Sequence, residues 1–156
     1  IFEEIGYNFL PTEISAAFGL VQLKKLKKFS EIRQENFDNL YSFFSNSKFF
    51  KVPKQLPQVK TSWLAFPLTI TSNAPFSRLE LVKYLETNNI QTRPIFTGNV
   101  LRQPAFKNIN YKNLENDFHV SNNIMKNSFL IGCNHGLTSK HIEKIKNIFT
   151  KFLKNF

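Results

Sequence analysis

An α/β sandwich of three strands covered by helices is the fold class that this 156-residue sequence predicts. Three segments repeat their apolar residues every three to four positions, as helices with one buried face do, and a fourth, shorter helix is expected between the last two strands. Three shorter runs, rich in aromatic and β-branched residues, lie between them as strands. The two kinds alternate from helix to helix along the chain, the order that folds into layers of helix on sheet. A chain of this size takes about 70% of its unfolded surface out of water, enough for one domain with its own core.

The first helix is expected from Pro11, because proline is tolerated in a first turn, Thr12 can cap it and Glu13 complements the positive end of the dipole. Ile14, Ala17, Phe18, Val21, Ile32, Leu40, Tyr41 and Phe44 carry its period without an internal proline, toward Ser47. A helix of that length measures on the order of 50 Å, more than one small domain needs, and is expected to bridge two domains or subunits. Residues 1–47 are thus an interdomain segment with a long helix, and 48–156 the sandwich. Pro53 and Pro57 mark a loop, and Ser62 to Ile70 reads as a strand whose Pro67 argues for an edge or a bulge. Ser77 opens a second helix through Leu85 that stops at Asn88-Asn89. Ile90 to Phe96 is the second strand, Gly98-Asn99 a turn, and a short helix is expected from Asp117 to Asn127. Phe129 to Cys133 is the third strand, and Thr138 caps a final amphipathic helix carrying Ile142, Ile145, Phe149 and Phe152.

Composition excludes several classes. A single cysteine, Cys133, allows no intrachain disulfide and no cysteine-rich metal site. No apolar run approaches the roughly 20 residues of a membrane helix, and the acidic start at Glu3-Glu4 is unlike a signal peptide, so a cytoplasmic protein away from membranes is expected. The chain opens on Ile1-Phe2, which reads as a cut segment. The formal charge of +10 raises a stand-alone basic module that binds nucleic acid or protein. The lysines are spread, however, along the polar positions of two helices, at Lys24 to Lys28 and Lys140 to Lys154, as on solvated faces, and no nucleic-acid partner is expected.

No glycine-rich phosphate loop, metal-ligand cluster or nucleophile elbow is present. Cys133 and His135 could form a nucleophile pair, yet a thiol inside a strand is usually inert. Two segments carry more. Asn8, in Gly6-Tyr7-Asn8-Phe9, lies just ahead of a helix N-terminus, where an anion is favoured, although a capping asparagine reads the same way. In Thr92 to Pro104, Arg93, Asn99, Arg102 and Gln103 flank a glycine turn and offer bidentate donors for phosphate or sugar hydroxyls. Composition alone slightly favours a polar loop with structural ion pairs.

Gly6-Tyr7-Asn8-Phe9, Pro11-Thr12-Glu13-Ile14, Ala16-Ala17, Gly19-Leu20 and Gln22-Leu23 resemble the start of the long helix in the nucleotide-sugar aminotransferase and dehydrase family, of DegT/StrS type. The resemblance continues through Ser62-Trp63, Phe66-Pro67, Arg78, Thr92-Arg93 and Gly136-Leu137-Thr138. It implies the small C-terminal domain of a fold type I pyridoxal-phosphate enzyme. Gly98-Asn99 and Arg102-Gln103-Pro104-Ala105-Phe106 resemble the 3-dehydrase branch, where sugar aminotransferases usually carry a histidine ahead of Gln-Pro. That branch uses pyridoxamine phosphate to remove the C3 hydroxyl of a 4-keto-6-deoxy nucleotide sugar, in deoxysugar and lipopolysaccharide O-antigen biosynthesis. The resemblance further implies a homodimer in which Asn8 reaches the cofactor phosphate of the neighbouring subunit, with Arg93, Asn99, Arg102 and Gln103 on the nucleotide-sugar side. The catalytic residue, histidine in a dehydrase or lysine in an aminotransferase, is expected upstream of Ile1, so this segment alone is expected to hold no cofactor and no metal.

Overall fold

The computed structural model of the chain describes residues 6–7, 9–112 and 118–156. The elements run α1 (Glu13–Phe44), β1 (Phe50–Lys51), β2 (Ala65–Ile70), α2 (Arg78–Thr87), β3 (Thr92–Pro94), α3 (His119–Asn127), β4 (Ser128–Gly132) and α4 (Ser139–Leu153). All three expected strands are present. A fourth, the two-residue β1, joins them in a wholly antiparallel sheet of order β1-β2-β4-β3. The expected start of the short helix at Asp117 lies outside the described residues.

Local chemistry sets the helix ends. Thr12 caps α1, its Oγ1 accepting from the Ser15 N–H. Ser77 and Glu80 form a reciprocal capping box on α2, and the backbone N–H and hydroxyl of Ser77 hold the Glu80 carboxyl below the usual carboxylate range. At the other end Asn89 turns left-handed at φ 59°, the Ile90 N–H reaches the Leu85 carbonyl at 2.9 Å and the Asn89 N–H reaches Glu86 at 3.0 Å. Those two bonds make a Schellman stop, closed by the buried pair Leu85 and Ile90.

Period two then decides which sheet face is covered. Phe66, Leu68 and Ile70 of β2 are buried, as are Phe129 and Ile131 of β4, and the register sets Phe66 against Ile131 and Leu68 against Phe129. Helices α2 and α4 and the second half of α1 cover this face. Phe44 sits at the centre, fully buried, with Phe149 edge-on at 4.8 Å, Phe50 edge-on at 5.5 Å and Phe66 stacked at 5.8 Å. Pro67 pairs with Leu130 on one side, while β1 reaches only Thr69 and Ile70 on the other. The missing N–H of Pro67 therefore falls on a stretch with no strand beside it, a local edge.

Helix α1 is two different objects along its length. Its buried residues, Asn36, Phe37, Leu40 and Phe44, all belong to its second half. In the first half Ile14 is 85% exposed, Phe18 67% and Leu23 65%. Its lysines, Lys24, Lys25, Lys27 and Lys28, are exposed as well, as the sequence reading expects. Asn36 buckles the second half to the sandwich, donating from Nδ2 to the carbonyls of Asn134 at 3.0 Å and Leu137 at 3.2 Å. No helix among the described residues is long and apolar enough to cross a membrane.

Candidate functional site

The candidate loop leaves β3 at the sheet edge. Thr92 is tied to α2, its hydroxyl and N–H both donating to Glu86 Oε1, and these bonds hold the Glu86 carboxyl below its ordinary range. Arg93 pairs across from Leu130, on the face turned away from Phe129 and Ile131. A cleft of ≈ 280 Å³ beside it is lined by Arg93, Arg78, Val82 and Phe129. Arg78 donates to the Ser128 carbonyl at 3.1 Å.

Beyond β3 the chain turns at Gly98, with φ +70°. A Cβ there would lie 2.3 Å from Met125 Cβ on α3, so only glycine allows both the backbone angle and the contact. Asn99 follows, 4% exposed, and caps a single 3₁₀ turn over Val100–Arg102 by accepting the Leu101 N–H on Oδ1 at 3.0 Å. Its Nδ2 donates to Asn122 Oδ1 at 2.8 Å, and Arg102 Nε donates to the same oxygen at 3.2 Å. Gln103 closes the loop from Nε2 to the Thr97 carbonyl at 3.4 Å, ahead of a second 3₁₀ turn, Pro104–Phe106. Asn99 and Arg102 are therefore brought together on α3 with Gln103 close behind, while Arg93 stands in the separate α2–β3 cleft. Asn8 lies outside the described residues.

Two groups outside the sequence reading make tertiary hydrogen bonds, one of them at the loop itself. Asn122 has no local signal, being one amide in the polar run Ser121-Asn122-Asn123. The other is Arg33 of α1, which donates to Ser62 Oγ at 3.1 Å and to His135 Nδ1 at 3.0 Å, while the His135 ring stacks on Phe29 at 3.8 Å. Arginine can only donate, so His135 Nδ1 is the acceptor. His135 thus locks the helix to the sandwich rather than serving Cys133.

Cys133 is fully buried, its Sγ 3.7 Å from the Arg33 carbonyl. Burial above all, and then the negative charge of Asp38, push the thiol up to about 12 against the partial opposition of Arg33. A raised thiol favours the neutral form in the folded state, so its contribution is complete below the unfolded value near pH 9 and is lost as pH climbs toward 12. Iodoacetamide at pH 8 is expected to leave Cys133 unlabelled in native protein and to label it fully in urea. Rapid native labelling, read by mass spectrometry, would restore the nucleophile reading. Among the described residues no three His, Cys, Asp or Glu side chains gather as a metal site.

The model of the DegT/DnrJ/EryC1/StrS aminotransferase family matches residues 1–150. The lipopolysaccharide biosynthesis protein RfbH of Salmonella typhimurium is 35% identical over 152 residues, covering 97% of this chain and 35% of that protein. A GDP-4-keto-6-deoxy-D-mannose 3-dehydratase of Yersinia pseudotuberculosis is 33% identical over 144 residues, 92% of this chain and 35% of its own. Among solved structures, GDP-4-keto-6-deoxymannose-3-dehydratase with a trapped PLP-glutamate geminal diamine superposes with a TM-score of 0.82 at 29% identity, over 95% of this chain and 38% of that one. The chain thus spans about a third of the length of the curated relatives it matches. A family match along nearly its whole length, with relatives above 30% identity and the same architecture, makes the chain a member of the DegT/DnrJ/EryC1/StrS aminotransferase family.

Proposed function

We propose that the full-length protein is a pyridoxamine-phosphate-dependent 3-dehydratase of a nucleotide-linked 4-keto-6-deoxyhexose, in cytoplasmic assembly of deoxysugars for lipopolysaccharide, and that this chain supplies the nucleotide-sugar side of its active site. The breadth of similarity carries the reading: the relative named as a 3-dehydratase matches along 92% of the chain. The cofactor, when bound, supplies the amine and the electron sink of the reaction. The described residues do not by themselves fit that group. The polar atoms that converge in the loop are bonded to one another on Asn122, and Asn8, the amide assigned to the cofactor phosphate, lies outside the described residues. In this reading Asn8 reaches the cofactor phosphate of the neighbouring subunit, while the cofactor's main contacts and the catalytic histidine belong to other parts of the full-length protein.

What this chain contributes is recognition. Arg102 takes the diphosphate, because a planar guanidinium makes two parallel charge-assisted bonds to phosphate oxygens, while Arg93, in its separate cleft, is assigned to the same nucleotide-sugar side. Gln103 and Asn99 complete and shape the sugar side. The exposed apolar positions Ile14, Phe18 and Val21, which share one face of α1, support a homodimer or interdomain role for residues 1–47, since such faces are covered in stable assemblies. The +10 charge then rests on solvated helix faces.

Arg102→Lys in the full-length protein is expected to raise KM for the nucleotide sugar about tenfold with little change in kcat, as loss of one charge-assisted bond of ~1.5 kcal/mol does. An unchanged KM with a lowered melting temperature would return Arg102 to a bracing role. The reaction class is read from the product with GDP-4-keto-6-deoxy-D-mannose: a sugar without its C3 oxygen supports the dehydratase. A 4-amino sugar that keeps its C3 hydroxyl makes the protein one of the aminotransferases for which the family is named.

A further inference from the structure

We propose that Asn122 is the positioning residue of this loop, setting the plane in which Arg102 presents its guanidinium to a nucleoside diphosphate; the inference rests on the reading of Arg102 as a phosphate partner. The hydrogen bonds assign themselves in one direction. Asn99 Oδ1 accepts the Leu101 N–H, so the other end of that amide must be the donor. Its Nδ2 then requires an acceptor at 2.8 Å, and Asn122 turns its oxygen to it. The same oxygen, with two lone pairs, takes Arg102 Nε at 3.2 Å. A guanidinium is flat, so fixing Nε and the stem fixes the plane of its other N–H groups.

The seat is rigid for a second reason. Asn122 and Met125 are three residues apart on α3 and share a face. Met125 is where Gly98 packs, with no room for even a methyl group. One face of α3 thus meets the loop twice, through a polar bond at Asn122 and a close backbone contact at Met125. Asn99 is buried, with its carboxamide committed at both ends, and it acts through the loop's shape. The chain runs from the loop to α3 through residues 103–118, so no local propensity places Asn122 under Arg102; only the tertiary contact does.

The test measures Kd by calorimetry for GDP, CDP, dTDP and UDP on full-length protein, keeping the tightest as probe. Asn122→Leu, close in volume but without an acceptor, is expected to weaken that Kd about 3- to 10-fold, no more than Arg102→Lys itself, because it acts through Arg102. Asn122→Asp keeps an acceptor oxygen for both donors and is expected to bind like the parent. The double variant Asn122→Leu/Arg102→Lys should be no weaker than Arg102→Lys alone, because the first change acts through the second residue. If Asn122→Leu does not fold, Asn122→Ser, too short to bridge both donors, takes its place. Parental affinity in the Leu or Ser variant, with Arg102→Lys weakened, overturns the positioning role and leaves the diphosphate reading standing. Additive losses in the double variant, or an Asp variant as weak as Leu, overturn it as well. No binding of any of the four nucleotides, or parental affinity in Arg102→Lys, overturns the phosphate assignment and the inference with it.

Discussion

Gly98→Ala in the full-length protein is expected to cost about 2–5 kcal/mol, combining ~1–2 for a side chain in the left-handed region with ~1–3 for overpacking. The added methyl would meet Met125 Cβ at 2.3 Å and its Cα at 2.5 Å, and a backbone atom cannot swing away as a side-chain tip can. Either the turn opens or α3 moves, and each takes Asn122 away from Asn99 and Arg102. On the proposed reading of the loop, loss of nucleotide binding should therefore accompany the stability loss, with new proteolytic cleavage between residues 95 and 127. A variant that melts with the parent and resists protease would show that the turn tolerates a Cβ and that its contact with α3 is dispensable.

Phe44→Ala is expected to be as severe, about 3–5 kcal/mol, the range for deleting a fully buried aromatic ring. Phe44 touches the rings of Phe43, Phe50, Phe66 and Phe149, which belong to α1 itself, to β1, to β2 and to α4. A cavity at that junction cannot be filled by one neighbour without disturbing another. The urea midpoint of the Ala variant should fall well below the parent's, and Phe44→Leu should recover part of the difference. Equal midpoints for Ala and parent would mean that the second half of α1 is not part of the folding core.

The two positions differ in how far the sequence alone discloses them. The core was readable wherever it repeats: the alternation Phe66, Leu68, Ile70 and the helical spacing Ile142, Ile145, Phe149, Phe152 name buried residues directly. Asn88-Asn89 was readable as a stop because asparagine tolerates the left-handed turn found at Asn89. Strand β1 was not, since two residues carry no period and Phe50 becomes a strand only by pairing with Ile70, twenty positions on. The loop was visible through Gly98, whose turn requires glycine, and through the arginines that need a purpose. Asn122 was invisible because an amide on a polar helix looks the same whether it faces water or a partner 23 residues earlier. The Arg33–His135 lock, 102 residues apart, is hidden for the same reason. Periodicity reports which residues are buried; it does not report which polar atoms find each other once the layers close.

Helix α1 runs unbroken for 32 residues, about 48 Å at 1.5 Å per residue, from an exposed apolar end to a half locked by Asn36, Arg33 and Phe44. Such a rod behaves as a drive shaft keyed at one end. Substituting a solvent-facing residue midway leaves its phase alone. Inserting or deleting a single residue there turns Ile14, Phe18 and Leu23 through about 100° relative to the sandwich, because each residue of a 3.6-fold helix contributes that angle, and shifts them by 1.5 Å along the axis. Between the two halves, therefore, the spelling of the helix is negotiable while its letter count is not, and whatever seats the far end sets the angle at which the loop around Gly98 meets the rest of the molecule.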